Sequence, residues 1–184
     1  IGSKDDFGQP YEEWFITDYD CPDEVIGKVL GEYESLSELN YLAGQIMELR
    51  ESDDFWQAVL DLGENTGSVQ ELINLTENLD CFDYLPGVRN DYDLGYYWIE
   101  ESGCYDTSNL GALANYIDYE SFGRDIRYEE GGMFGDNGYV RSNGGRFVDI
   151  YDGDIESIPE EYQISSPVVM ERAAAKKQNE RHER

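Results

Sequence analysis

The sequence predicts an α+β fold, and three observations carry that prediction. A middle region shows helical apolar spacing with helix caps, glycine-punctuated aromatic and β-branched stretches follow it, and one such stretch precedes it. At 184 residues the chain is long enough for one ordinary domain or two to three very small ones.

Taken in order, "YEEWFITDYD" (Tyr11 to Asp20) reads as a strand ending in a turn at Cys21-Pro22. A lone strand needs partners. Because the chain starts at Ile1 rather than Met, an N-terminal piece is expected to be missing. From Ser35 the period becomes helical: Leu36, Leu39, Ala43, Ile46 and Met47 fall on one face, and Ser35 with Glu38 fits a capping box. A second helix has Ser52 as its cap, Phe55, Val59 and Leu62 on one side, and Gly63 as its stop. Ser68 and Glu71 repeat the capping box ahead of Val69, Leu72, Ile73, Thr76 and Leu79.

"CFDYLPG" reads as a further strand, and "NDYDLGYYWIEESG" as a helix capped by Asn90 or Asp91 and ended by Gly103. A helical pattern with Leu110, Leu113, Ala114 and Ile117 on its apolar face begins near Asn109 and runs on through "NYIDYESFGRDIRYEE". "DNG" and "NGG" then separate "RYEEGGMF", "YVRS" and "RFVDIYD", which together read as a strand meander. The expected organisation is a remnant of an N-terminal α/β domain (1–33), a short helical middle domain (34–79), a C-terminal α/β domain (80–153) and a flexible tail (154–184) in which "VVMERAAAKKQNERHER" could form a frayed helix.

Charge is the dominant signal. Forty-one acids oppose thirteen Lys and Arg, and with five of those bases in the last thirteen residues, residues 1–171 carry a net charge of −31. Disordered acidic chains have few aromatics, whereas this one has fifteen Tyr, seven Phe and three Trp, so it is expected to fold. Three cysteines without close pairing, and no secretory signal, point to a reduced cytoplasmic setting. No apolar run approaches the roughly 18 residues of a membrane span.

Several chemistries are disfavoured. The single histidine, His182, lies in the charged tail, which argues against a histidine relay or a His-ligated metal, and no phosphate-binding loop, G-x-S-x-G or paired C-x-x-C is present. "DGDIESIPEEYQ" (Asp152 to Gln163) has acids at calcium-loop positions one, three and five, but Ser157 and Gln163 stand where Gly and Glu are required. Glu100 and Glu101 are adjacent on a helix, about 100° apart, and cannot face each other across a glycosidic bond. No catalytic residue, metal or cofactor is therefore expected.

A solvated acidic surface is the ordinary explanation for such charge. Its density argues for more. Duplex DNA carries one charge per about 1.7 Å, so 31 charges match roughly 50 Å of duplex, while a compact chain of this size has a diameter near 40 Å. Direct nucleic-acid binding is thus disfavoured, and a basic protein surface is the expected partner.

In "NYIDYESFGRDI" (Asn115 to Ile126), a continuous helix would put Asp118 and Asp125 on one face with Ser121 and Phe122 between them. Glu120 precedes Arg124 at i,i+4, the favourable order for an ion pair. Tyr116, Ile117 and Tyr119 read equally well as core or contact residues, and Gly123 marks a bend or a close approach.

That segment resembles the antirestriction motif of the ArdA antirestriction proteins, a family carried by conjugative plasmids, transposons and phages. "EEWFITDYDCP", "SLSELNYLAGQIMEL" and "YYWIEESG" occur in the matching order, and the resemblance covers about residues 11–151. It implies an elongated protein of three small α/β or helical domains, dimeric through the third, that mimics bent DNA. Such a protein occupies the DNA-binding groove of type I restriction-modification enzymes and blocks restriction and modification without being an enzyme. Asn115, Tyr116, Ile117, Asp118, Tyr119, Glu120, Ser121, Phe122, Gly123, Arg124, Asp125 and Ile126 would then form the partner-binding segment. Asp118, Glu120 and Asp125 would supply phosphate-like charges, and Tyr116, Phe122 and Gly123 would shape the segment or its dimer contact. The sequence departs from the family in an N-terminal domain that looks incomplete and in a basic tail. The alternative reading is an acidic module that binds another basic DNA-binding protein.

Overall fold

The computed structural model describes residues 15–21, 23–49 and 53–164, and within them the fold is mixed helix and small antiparallel sheet. Four helices come first: α1 (Glu24–Val29), α2 (Leu36–Glu48), α3 (Asp53–Leu62) and α4 (Val69–Thr76). Then follow β1 (Phe82–Pro86), α5 (Asp91–Tyr96), α6 (Tyr119–Glu130), β2 (Met133–Phe134) and β3 (Gly138–Ser142). No helix among the described residues is long and apolar enough to cross a membrane.

Local chemistry sets the helix starts. The side chains of Asp23, Ser35, Ser68 and Asn90 each accept a backbone N–H from the first turn of the helix that follows. In the capping box of α4 the returning glutamate, Glu71, accepts from the Gly67 N–H at 2.6 Å rather than from Ser68 itself. Gly63, at φ +77°, follows the end of α3 in a backbone conformation that suits glycine. Ser52, expected to cap α3, lies outside the described residues, as do Tyr11–Trp14 of the expected first strand. Residues 15–20 form no strand; Ile16 N–H instead donates to the Glu32 carbonyl at 2.8 Å.

The sheet has the order β1-β3-β2, with Phe82 opposite Ser142 and Phe134 opposite Tyr139. Successive residues of a strand point to opposite faces, so β3 serves two cores at once. Val140 joins a cluster built from Ile26, Leu42, Trp56, Val59, Leu60, Leu72, Ile73, Leu75 and Phe82. Tyr139 joins a smaller one with Val88 and Leu94, against which Ile126, Trp98 and Phe134 pack. On α2 the buried positions include Leu42 and Gln45, whereas Ala43 and Met47, placed on the apolar face by spacing, are exposed.

"RFVDIYD" forms no strand. Two buried asparagines of the α4 region take the place of a neighbouring strand by pairing with its backbone. Asn74 donates to the Tyr151 carbonyl and accepts from the Tyr151 N–H, both at 2.8 Å, and Asn78 does the same for Val148 at 2.9 Å. Removing the Asn74 amide orphans the buried Tyr151 N–H and leaves the Tyr151 carbonyl only the longer bond from Gln70 Nε2 at 3.3 Å. Asn74→Ala is therefore expected to cost roughly 1–3 kcal/mol, measured by denaturant unfolding.

Two further expectations fail. The "RYEE" part of the expected strand "RYEEGGMF" belongs to α6, leaving only Met133 and Phe134 in β2. Residues 154–164, expected to be loosely held, pack instead: Ile158 is buried, the Tyr162 ring lies 5.3 Å from that of Tyr41, and Ile164 N–H donates to Ser37 Oγ at 2.9 Å. The rest of the expected tail, 165–184, lies outside the described residues.

Candidate partner-binding surface

The continuous helix expected from Asn109 is broken. Residues Gly111–Tyr116 form a 3-10 turn, Ile117 is extended, and α6 starts afresh at Tyr119 with Asp118 as its cap. An Asp at a helix start competes for backbone donors, and here its carboxylate accepts the Ser121 N–H at 3.0 Å. That bond, and then the Ser121 hydroxyl, hold the Asp118 carboxyl below its usual range. Asp118 is thus a cap beside the helix and does not share an interior helical face with Asp125.

The twelve motif residues divide by exposure. Asn115, Tyr116, Asp118, Glu120, Arg124 and Asp125 are exposed, Ile117, Tyr119, Ser121, Phe122 and Ile126 are half-buried, and Gly123 alone is buried. Arg124 donates to Ser121 Oγ at 3.3 Å, and the expected Glu120–Arg124 ion pair is absent. Among the described residues the ion pairs join Arg127 to Asp91, and Arg141 to Asp83 and Glu130. Asp118, Glu120 and Asp125 therefore present carboxylates outside any of these pairs.

Gly123 is the place of a close approach rather than a bend. A Cβ on it would lie 1.8 Å from the Asp91 carbonyl oxygen, and one on Gly95 would lie 1.9 Å from the Tyr119 carbonyl oxygen, so the backbones of α5 and α6 touch. Arg127 locks the same pair through its two-point contact with Asp91 at 2.8 and 3.3 Å. On the far side, β3 holds the end of α6: Tyr139 hydroxyl donates to Glu130 at 2.9 Å, and Arg141 bridges Glu130 and Asp83 while covering the Trp98 ring at 5.2 Å. Burial and the Glu130 contact push the Tyr139 hydroxyl pKa up. The motif is thereby mounted on a rigid pair of helices.

Against it lies a ring cluster of which the sequence singles out only Tyr119. Tyr92, Tyr96 and Tyr119 form a ring cluster with centroids 5.4–6.5 Å apart, and the Tyr119 hydroxyl donates to Glu100 Oε1 at 2.7 Å, which pushes its pKa up to about 12. The i,i+4 spacing of Tyr92 and Tyr96 is the signal that could have found it. Leu113 and Tyr116, 67% and 83% exposed, add an uncovered apolar patch where a buried helix face was expected. No group of three or more His, Cys, Asp and Glu side chains converges as a metal site among the described residues.

Compared with known proteins, the chain has no match among the curated proteins. The family model described as Antirestriction protein (ArdA) matches residues 3–141, about three-quarters of the chain and the whole of the motif-bearing helix pair. The chain belongs to the ArdA family of antirestriction proteins.

Proposed function

We propose that this chain is a DNA mimic that occupies the DNA-binding groove of a type I restriction-modification enzyme and so protects incoming mobile-element DNA from cleavage and modification. The observation that carries the reading is the combination of family membership with a net charge of −28 and a motif whose acids stand exposed outside ion pairs. Carboxylates in that state attract the lysines and arginines that otherwise meet phosphates, and their burial in the groove releases counterions as DNA does. The partner is thus the methyltransferase core of the enzyme, and the setting is the cytoplasm of a bacterial host.

An elongated homodimer is part of the same proposal, built from small units with the third, 80–153, providing the contact. The exposed Leu110, Leu113 and Tyr116 support it, since an apolar patch of this kind next to a polar surface is the usual mark of an interface. Asn115 to Ile126 form the partner-binding segment, in which Tyr116 faces outward and Gly123 holds the helix pair together.

Protection of DNA is the direct test. Unmodified plasmid with type I target sites, incubated with enzyme and excess protein, is expected to stay uncut and unmethylated. Asp118→Asn is expected to change the amount needed by less than about threefold, because many modest contacts share the work. Unimpaired cleavage, with capture of some other basic DNA-binding protein, would instead make the chain a general acidic module.

A further inference from the structure

We infer that Tyr92, Tyr96 and Tyr119, together with Glu100, form a receptor for an arginine side chain of the partner's basic groove; the inference rests on the DNA-mimic reading and assigns it a specific contact. Tyr92 and Tyr96 stand one turn apart on α5, their rings 15° from parallel and 52% and 42% exposed. Tyr119, the first residue of α6, meets both at 5.5 and 5.4 Å. Three large rings on a surface this polar carry a substantial contact area, and tyrosine and arginine are the residue types that dominate binding energy at interfaces.

The carboxylate beside the rings is held in place. Glu100 accepts the Tyr119 hydroxyl on Oε1 at 2.7 Å and the Thr107 hydroxyl on Oε2 at 3.1 Å. Each oxygen keeps a second lone pair, so the two together can still receive the parallel N–H groups of a guanidinium. A guanidinium fork on Glu100 would lie next to exposed ring faces, and a planar cation both pairs with a carboxylate and stacks on an aromatic. Lysine, a compact and strongly hydrated charge, uses the planar fit less well.

Preorganisation favours the contact. The backbone approach of Gly95 and Gly123 and the Asp91–Arg127 pair fix α5 against α6, and Tyr119 is tied to Glu100. Ordering costs on binding are correspondingly small.

The test uses the full chain and a type I methyltransferase core, with the dissociation constant measured at several salt concentrations. The Tyr92→Leu/Tyr96→Leu double variant keeps apolar bulk but loses the π faces. It is expected to bind about 10- to 100-fold more weakly with an unchanged salt dependence. The Tyr92→Phe/Tyr96→Phe variant, which keeps the faces, is expected to match the wild type. Glu100→Gln is expected to lower the salt slope by about one. Binding by the Leu variant within twofold of the wild type would overturn the inference, as would an equal loss in the Phe variant. A Leu variant that weakens only because it sediments as a smaller species would assign the rings to a contact between copies of this chain and likewise overturn it. A wild-type chain that fails to bind the enzyme would defeat the DNA-mimic reading itself, whereas failure of the tyrosine variants alone leaves that reading standing.

Discussion

Gly123→Ala is expected to pull α5 and α6 apart and to abolish inhibition along with the local fold. The obstacle to the new methyl group is backbone: the Asp91 carbonyl oxygen at 1.8 Å and the Gly95 nitrogen at 2.6 Å. Flexible side chains can move aside, but a carbonyl in a helix cannot move without breaking its own hydrogen bonds. The cost should therefore reach or exceed the upper end of ordinary overpacking, about 3 kcal/mol, which for a chain of this length lowers the melting temperature by roughly 6–12 °C. Gly27→Ala is the control. That glycine lies in α1 with open space around it, so the substitution should be neutral or stabilise by up to about 1 kcal/mol. Thermal melts of the two variants check the account, and a Gly123→Ala protein that melts like the wild type would refute the backbone contact.

The second large effect concerns charge. Glu48, Glu64, Asp80, Glu101, Glu120, Asp125, Glu129, Asp136, Asp149 and Glu160 are exposed, and none belongs to the ion pairs or helix caps described above. Converting these ten to Asn or Gln removes ten of the 28 net negative charges. The fold should remain, since surface substitutions of this kind each shift stability by no more than about 0.5 kcal/mol, and relief of self-repulsion works in the stabilising direction. Inhibition should be lost. Each neutralised contact removes part of the counterion release that drives binding, and losses accumulate across the surface. A plasmid-protection assay with the folded variant reads the outcome. Full protection by that variant would place recognition in a few shape-specific contacts instead.

Much of the local structure is legible in the sequence because it is decided locally. Ser35, Ser68 and Asn90 act as caps because a side-chain oxygen three residues before a free N–H is enough, and the alternating aromatics Phe82 and Tyr84 ahead of the Pro86-Gly87 turn mark β1, which pairs with β3. The break before α6 was also available in the sequence. Asp118 followed three residues later by Ser121 reads as a helix start, but the apolar spacing of Leu110, Leu113 and Ile117 favours a longer helix. That spacing did not bury its face, because burial depends on a partner and exposed Leu113 has none among the described residues.

What the sequence could not convey depends on distant contacts. Asn74 and Asn78 capture residues 77 and 70 positions away, which turns a strand-like stretch into an irregular one. Gly95 and Gly123 each look like an unfavourable helix residue until the other is seen against it. For the candidate site, the motif acids were identifiable through the family resemblance. The tyrosine cluster is assembled across α5 and α6, and only the Tyr92–Tyr96 half of it has a spacing that the sequence displays.

On the proposed function, this acidic surface replaces DNA in an enzyme's groove. Competition tests it most directly: purified chain titrated into a type I methyltransferase core bound to a fluorescent duplex carrying its target site, at low and moderate salt. Displacement of the duplex near one dimer per enzyme, weakening steeply as salt rises, is the predicted result. Retention of the duplex at every concentration of folded protein, or displacement indifferent to salt, would contradict it.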